Sequence, residues 1–253
     1  MGALTPLTSI VGRVLDRTLR RNQYGWIWNW QARSLRNADL AVAGFIDDAE
    51  WQRSGDATST CIRELTRTTG SDVVLEIGCG TGRVGVHLSR HCAHWIGTDV
   101  SGRMLAHARR RLAGSSNVTL ARVDGSTLAP IASESVDVVY CTAVFMHLDE
   151  WDRFAYVEEA WRVLRPGGRL YVDNLNLTGE RGWEVFRALR ATPPRQRPPQ
   201  ASRCSTPQEL EAYLARAGFV ALAVRAEPLF VSVVGTKPAG DGDTGIQSSV
   251  PDR

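Results

Sequence analysis

A glycine-rich segment between Val73 and Gly82 constrains the fold more than any other part of the chain. It reads Val-Val-Leu-Glu-Ile-Gly-Cys-Gly-Thr-Gly, a short apolar run followed by three alternating glycines. An apolar run of this length is typical of a strand that is buried on both faces of a parallel sheet. A helical pattern over Arg83–Arg90 follows it. The sequence therefore predicts a strand, a tight loop and a helix N-terminus, an arrangement that binds nucleotide-like ligands.

The glycine spacing separates the ligands that such a loop can bind. A dinucleotide fingerprint has its third glycine three positions after the second, and that position here is Arg83. The acidic Glu76 ahead of the loop is unfavourable for a pyrophosphate, whereas it suits a cationic group such as an ammonium or a sulfonium. The spacing and the carboxylate together argue against NAD.

The Glu76–Gly82 segment resembles motif I of the class I S-adenosylmethionine-dependent methyltransferases, and the resemblance runs from about Val73 to Val172. It implies an α/β, Rossmann-like fold with a central seven-stranded, mostly parallel sheet that is flanked by helices. The implied strand order is 3-2-1-4-5-7-6, with an antiparallel last strand. The implied cofactor is S-adenosylmethionine, and the product is S-adenosylhomocysteine.

The successive strands supply candidate donor-binding residues. The strand Ala93–Thr98 ends at Asp99, where a carboxylate can accept hydrogen bonds from both ribose hydroxyls. At Asp124, after the strand Val118–Val123, the resemblance implies an acceptor for the adenine amine. The strand Val136–Tyr140 continues into a loop that borders the methyl donor. The donor-binding residues expected are Glu76, Gly78, Cys79, Gly80, Gly82, Asp99, Val100, Met104, Asp124, Gly125, Ser126, Cys141 and Thr142.

Three regions are expected along the chain: an N-terminal helical cap (1–70), the methyltransferase domain (71–237) and a disordered tail (238–253) rich in Gly, Asp, Ser and Pro. Two strands, Val220–Ala226 and Leu229–Gly235, are separated only by Glu227-Pro228, which predicts an antiparallel hairpin. Further elements are predicted as helices at Gly102–Leu112, Glu150–Leu164, Arg181–Arg190 and Pro207–Ala217, a turn at Arg165–Gly168, a strand at Arg169–Val172 and a surface loop at 192–199.

An aromatic cluster in the first region has two interpretations. Trp26, Trp28, Trp30 and Trp51 lie there, with Tyr24 nearby. The rings either form a lid over the donor and acceptor, where they stabilise a sulfonium by cation–π attraction, or pack helices onto the sheet. The residues expected at the lid or the substrate are Tyr24, Trp30 and, after the fourth strand, Phe145.

His147 is the candidate catalytic residue, because it follows the fourth strand where the acceptor is expected. The alternative is a loop histidine that hydrogen-bonds to the backbone. Cys141 lacks the preceding proline of cytosine-C5 methyltransferases, so a nucleophilic role is not expected. His87 and His91 are four residues apart on a helix, but no carboxylate motif accompanies them, and no metal site is expected.

Composition limits the partners. The net charge of +3 does not point to nucleic acid, and no apolar run approaches the length of a membrane span. The five scattered cysteines, without a Cys-x-x-Cys pair, indicate a reduced, cytoplasmic protein.

The expected function is methylation of a small organic acceptor on oxygen or nitrogen. The Asn/Asp-Pro-Pro-Tyr/Phe motif of base-amine methyltransferases and the paired glutamates of protein arginine methyltransferases are both missing after the fourth strand. The alternatives are another transfer from the same donor, methylation of a macromolecule, and a binding protein without turnover.

Overall fold

The computed structural model describes residues 23–44 and 47–239. The predictions for residues 1–22 of the cap and 240–253 of the tail lie outside the described residues. The helices are α1 (Gln23–Gln31), α2 (Leu35–Ala43), α3 (Asp48–Thr66), α4 (Gly85–Leu88), α5 (Gly102–Arg111), α6 (Glu150–Val163), α7 (Glu180–Ala191) and α8 (Pro207–Arg216). The strands are β1 (Val73–Ile77), β2 (His94–Asp99), β3 (Val118–Arg122), β4 (Val136–Cys141), β5 (Leu164–Leu175), β6 (Val220–Ala226) and β7 (Phe230–Thr236).

The seven strands form one sheet in the order β3-β2-β1-β4-β5-β7-β6. Strands β1 to β5 pair in parallel, whereas β7 is antiparallel to both β5 and β6. The predicted strand order and the C-terminal hairpin are thus confirmed. The carboxyl ends of the parallel strands meet at one edge of the sheet. The strand order reverses between β1 and β4, and α/β sheets bind ligands at such a point.

Both faces of the sheet are buried, which explains the continuous apolar runs of the central strands. Side chains alternate between faces along a strand. Val74 and Val138 belong to a buried apolar cluster that includes Trp95 of β2 and Ile62 of α3. Leu75 and its neighbours on β4 and β5 face a second cluster that includes residues of α6 and α8.

Two elements differ from the predictions. The helix expected at Arg83–Arg90 is only α4, which is continued by a short 3-10 turn at Ser89–His91. Glycine and β-branched residues around Gly85 are poor helix formers, and Gly85 is pressed against Trp95 so closely that a Cβ would lie 2.3 Å from the ring. The turn expected at Arg165–Gly168 is an irregularity inside β5, because the pairing with β4 shifts there.

The N-terminal helices are fastened to the sheet domain by polar contacts. The amide oxygen of Asn29 on α1 accepts from Ser101 Oγ at 2.9 Å. Asp39 on α2 accepts from both terminal nitrogens of Arg111, at 2.7 and 2.8 Å, and from Thr81 Oγ1 at 3.1 Å. Trp51 on α3 is 2% exposed and lies under the Arg111 guanidinium. These contacts hold α1 and α2 over the carboxyl edge of the sheet.

Candidate functional site

A cavity of about 430 Å³ lies between the carboxyl edge of the sheet and helices α1 and α2. Its volume is in the range of small-molecule sites. One end lies at the β1 and β2 termini, and the other lies at the end of β5 and the start of β7. The predicted residues that line it are Tyr24, Glu76, Gly78, Cys79, Gly80, Asp99, Val100, Met104, Gly125, Thr142 and His147.

The glycine loop lets backbone approach the cavity closely. Gly78 and Gly80 have φ values of 73° and 53°, in the left-handed region that favours glycine. A Cβ on Gly78 would lie 2.4 Å from Val144, and one on Gly80 would lie 2.8 Å from Val42. Other residues at these two positions would therefore strain the loop and push the surrounding walls apart.

Glu76 is a buried carboxyl group at the end of β1. The Tyr140 hydroxyl donates to Glu76 Oε2, and Trp95 Nε1 donates to the Tyr140 oxygen at 2.9 Å. Burial raises the pKa of Glu76 to about 7, and the Tyr140 hydrogen bond and the charge of Arg83 limit the rise. A cation bound in the cavity would favour the ionised form of this group.

Asp99 is 7% exposed at the end of β2. Its Oδ2 accepts from Gly80 N at 2.9 Å, and its Oδ1 accepts from Ser101 N at 2.7 Å. Burial raises the pKa of Asp99 to about 6, although these backbone hydrogen bonds oppose the rise. A carboxylate has about four acceptor positions, so two remain for a ligand's hydroxyl groups.

Asp173 is a buried carboxyl group on β5 that holds the loop after β4. Thr142 Oγ1 and Ala143 N donate to its two oxygens, at 2.5 and 2.7 Å. Ala143 has a φ of 56°, a strained conformation for a residue with a Cβ. Burial raises the pKa of Asp173, and the hydrogen bonds it accepts oppose that rise. Thr142 and Ala143 line the cavity, so the hydrogen bonds that Asp173 accepts from them hold this part of the cavity wall in place.

Arg83 was not among the predicted site residues, yet it lines the cavity next to the glycine loop. Its Nη1 donates to Thr58 Oγ1 at 3.1 Å, whereas its Nε is buried without a hydrogen-bond partner in the described part of the chain. Burial lowers the pKa of Arg83, and the nearby Glu76 and Asp173 oppose this effect. The Arg83 guanidinium therefore lies near the carboxyl groups at the β1–β2 end of the cavity.

His147 has one ring nitrogen fixed by the backbone. Its Nδ1 lies 2.9 Å from the carbonyl oxygen of Gln200, and a carbonyl can only accept, so Nδ1 carries the proton. The neutral ring then has a lone pair on Nε2, for which the described residues offer no partner. Trp28 packs edge-to-face on the ring with centroids 4.8 Å apart. Burial lowers the pKa of His147 to about 4.

Trp28, rather than the predicted Trp30, lies against the cavity. Trp30 is 56% exposed and stacks on Trp26, with centroids 6.4 Å apart. Residues four apart on a helix share a face, so Tyr24 and Trp28 point one way while Trp26 and Trp30 point another. Tyr24, whose hydroxyl donates to Asp152 at 2.9 Å, is at the cavity as predicted.

Five other predicted residues do not line the cavity: Gly82, Asp124, Ser126, Cys141 and Phe145. Cys141 and Phe145 are fully buried in the core beneath the loop. Asp124 borders an adjoining, shallower cleft beside Trp26. Burial would raise the pKa of Asp124, but backbone hydrogen bonds from Ser126 and Thr127 outweigh it and lower the pKa.

The histidines near α4 do not converge. His87 lies 3.5 Å from Asp56, and His94 Nε2 lies 2.8 Å from Thr119 Oγ1. Within residues 23–44 and 47–239, no cluster of three or more His, Cys, Asp or Glu side chains is arranged to bind a metal. In the same ranges, no helix combines the length and apolar character that a membrane crossing requires.

Residues 74–168 match the protein family described as "Methyltransferase domain". A demethylmenaquinone methyltransferase of Tropheryma whipplei is 32% identical over 147 residues, which cover 58% of this chain and 56% of the relative. A ubiquinone biosynthesis O-methyltransferase of Sinorhizobium fredii is 35% identical over 106 residues, 42% of each chain. A ribosomal RNA large subunit methyltransferase G of Streptomyces avermitilis is 34% identical over 116 residues, 44% of this chain and 30% of the relative. The chain thus spans about half the length, or less, of these curated relatives.

The fold is shared with solved structures. The magnesium protoporphyrin IX methyltransferase of Synechocystis PCC 6803, solved with bound S-adenosylhomocysteine, aligns over 90% of this chain and 99% of its own, with a TM-score of 0.57 and 17% identity. The glycine loop and the sheet order are those implied by the resemblance to the class I S-adenosylmethionine-dependent methyltransferases, and residues 74–168 carry the match to a methyltransferase domain.

Proposed function

We propose that this protein transfers the methyl group of S-adenosylmethionine to a small organic acceptor, at oxygen or nitrogen. The observation that supports this most directly is the continuity of one cavity. Its β1–β2 end carries the glycine loop with Glu76 and Asp99, and its β5–β7 end is apolar. A donor and an acceptor can therefore be held side by side, and positioning of this kind provides up to about 7–11 kcal/mol of catalysis in well-oriented systems.

The residues at the donor end fit S-adenosylmethionine, which when bound supplies a methyl group on a positively charged sulfur. Asp99 has acceptor positions left for the two ribose hydroxyls. We assign Glu76 to the ammonium group, and Arg83, whose Nε has no partner among the described residues, to the carboxylate of the methionine part. Val100 and Val123 provide apolar surface for the adenine ring.

Two alternatives lead to different measurements. A relative is a ribosomal RNA methyltransferase, so we consider methylation of a macromolecule. The His147 end of the cavity lies beneath α1, with Tyr24 and Trp28 above it, and this favours a small acceptor over an extended one. Another transfer reaction from the same donor would share the binding site but would give a different product.

Isothermal titration calorimetry with S-adenosylmethionine, S-adenosylhomocysteine and NAD tests the donor site. We expect both adenosyl ligands to bind and NAD not to bind, because the loop lacks the third glycine of the dinucleotide fingerprint. Tight binding of NAD without binding of S-adenosylmethionine would contradict the proposal. Mass spectrometry of products from pooled small molecules and from total RNA, incubated with labelled donor, then separates the acceptor classes.

A further inference from the structure

The acceptor end of the cavity differs from the donor end in charge. Among the described residues, the charged side chains that line the cavity are Glu76, Arg83 and Asp99, and all three lie beside the β1–β2 termini. At the other end the wall is formed mainly by apolar side chains from β5, α7, the start of β7 and the 3-10 turn Phe145–His147. These are Met146, Leu175, Val185, Leu229 and Phe230.

The apolar wall is a continuous structural unit. Leu175 pairs with Phe230 in the β5–β7 ladder, and Asn176 N donates to Leu229 O at 2.9 Å. The Ser202 hydroxyl lies 3.7 Å from the Met146 sulfur. A charged acceptor placed here would lose its hydration without gaining a partner, which is costly in an apolar environment.

Ser202 and His147 add polar side-chain atoms to this apolar wall. His147 lies next to Met146, and its protonated Nδ1 is held by the Gln200 carbonyl, so its Nε2 carries only a lone pair. Such an atom recognises a hydrogen-bond donor and not an acceptor. A neutral hydroxyl group satisfies it, whereas an aliphatic amine is an ammonium ion near neutral pH and would need a carboxylate, which the described side chains at this end do not include.

We propose that the acceptor is a compact, uncharged and largely apolar molecule with a phenolic or enolic hydroxyl, which binds against Met146, Leu175, Val185 and Phe230 and donates its hydrogen bond to Nε2 of His147. This inference rests on the proposed methyl transfer and specifies its substrate class. In the reaction, an oxygen lone pair forms the bond to the methyl carbon. The carbon–sulfur bond breaks, its electron pair stays on sulfur, and the hydroxyl proton moves to Nε2.

This proton movement keeps the charge of the site constant, because one cation is lost at sulfur and one forms on His147. Transfer of the proton to His147 also requires that the hydroxyl group of the acceptor be acidic. The pKa of His147 is about 4 in the ligand-free protein, whereas a phenol resembles the tyrosine side chain with a pKa of about 10. Each unit of difference lowers the extent of proton transfer about tenfold. Aliphatic alcohols, which are far less acidic, are therefore expected to be poor acceptors.

The test uses 4-substituted phenols of similar size and graded acidity, together with benzylamine, benzoate and benzyl alcohol, with labelled donor and the full chain. We expect methylation of the phenols, with kcat rising as their acidity rises, and at least about 100-fold less product from the other three. Preference for benzylamine, benzoate or benzyl alcohol would overturn the proposal, as would turnover of none of the phenols by a protein that binds S-adenosylhomocysteine. Failure to bind S-adenosylhomocysteine would instead contradict the proposed function.

His147→Asn isolates the lone pair, because its amide nitrogen can still donate to the Gln200 carbonyl. We expect kcat with phenols to fall at least about 100-fold while the Kd for S-adenosylhomocysteine is unchanged. His91→Asn, at an exposed position, is the matched control. In the wild-type complex with S-adenosylhomocysteine, nitrogen NMR should show a shift of His147 Nε2 when a phenol is added. An unchanged kcat, or no shift at saturating phenol, would contradict the proposal.

Val185→Glu gives an independent readout, because α7 is an exposed helix and tolerates substitution better than the core. A carboxylate on the apolar wall should reduce methylation of phenols and increase that of benzylamine. Unchanged methylation of both would show that Val185 does not contact the acceptor and would remove the apolar wall from the proposal.

Discussion

Glu76 and Asp99 are two buried carboxyl groups at adjacent strand ends, and as proposed donor-binding residues they should make donor binding depend on pH. Their pKa values in the ligand-free protein are raised to about 7 and about 6. Below those values the groups are neutral, and the attraction for an ammonium and a sulfonium is lost. A bound cation lowers both pKa values, so donor binding releases protons.

We therefore predict that the affinity for S-adenosylmethionine rises with pH and levels off above about pH 7. Between pH 5.5 and pH 8 the Kd should fall at least about tenfold. Calorimetry in two buffers of different ionisation enthalpy would detect the released protons. Glu76→Gln should remove the part of the dependence centred near pH 7, whereas Glu184→Gln, at an exposed site on α7, should leave it intact. Affinity that is independent of pH would show that the two carboxyl groups do not face the cationic donor.

Asp99 supports a second prediction, that Asp99→Ala weakens donor binding while the fold is retained. Two ribose hydroxyls lose a charged acceptor, each hydrogen bond being worth about 1.5–3 kcal/mol. The expected loss of affinity is at least about tenfold, at about 1.4 kcal/mol for each factor of ten. Asp99 also accepts from Gly80 and Ser101, so circular dichroism and thermal unfolding must accompany the titration. An unchanged Kd would assign the ribose to another residue.

At the scale of elements, α2 is joined to the glycine loop through one carboxylate. Asp39 accepts from Arg111 on α5 and from Thr81 inside the loop, and Asp39 and Arg111 are 13% and 18% exposed. Asp39 itself does not line the cavity, whereas Leu40 to Gly44, which follow it, do. Asp39 is therefore a positioning residue that sets the distance between α2 and Gly80.

We predict that Asp39→Ala lowers both stability and donor affinity. A mostly buried guanidinium loses its partner, which costs about 3 kcal/mol at this degree of burial. Thermal unfolding measures the loss, and stopped-flow displacement should show faster release of S-adenosylhomocysteine. Glu227→Ala is the control, because it breaks an exposed pair with Arg225 that is worth at most about 1 kcal/mol. Equal effects of the two variants would show that the Asp39 contact has no special role.

The glycine loop could be predicted from a local pattern, whereas the sheet order was implied by the resemblance to the class I methyltransferases. A fully apolar run must be buried on two faces, and alternating glycines permit the left-handed conformations that Gly78 and Gly80 adopt. The hairpin was equally local, since only Glu227-Pro228 separates its strands. Trp28 shares a helix face with Tyr24, four residues away, whereas Trp30 lies on another face, and its role at the lid stays a prediction.

Other parts of the site depend on contacts between distant elements. Asp173 and Leu175 reach the cavity region only because pairing with β7 extends β5 beyond the predicted Val172. The contact between Asp39 and Thr81 joins residues that are 42 positions apart. Asp173 accepts from the backbone of Ala143, which lies 30 positions earlier in the chain. Spacing along the chain carries no signal for contacts of this kind.

At the scale of the whole molecule, we propose that the N-terminal helices form a cap over the sheet domain. Tyr24 and Trp28 line the cavity, yet no strand pairing depends on α1. The largest fully buried side chain of the described N-terminal region, Trp51, lies on α3. The contacts of α1 with the domain are both polar, through Asn29 and Tyr24, and apolar, through the packing of Tyr24 and Trp28 against buried core residues.

We predict that deletion of residues 1–30 leaves a soluble, folded protein whose methyl transfer is greatly reduced. The open site would admit water, and the low-polarity surroundings in which charges cancel during methyl transfer would be lost. Circular dichroism and thermal unfolding check the fold, and product formation with labelled donor measures turnover. The double substitution Tyr24→Ala and Trp28→Ala in the full chain is the matched control, since it removes the two rings and keeps the rest of the segment. Turnover at the wild-type rate in the truncated protein would contradict a lid, whereas insolubility would assign the segment to the core.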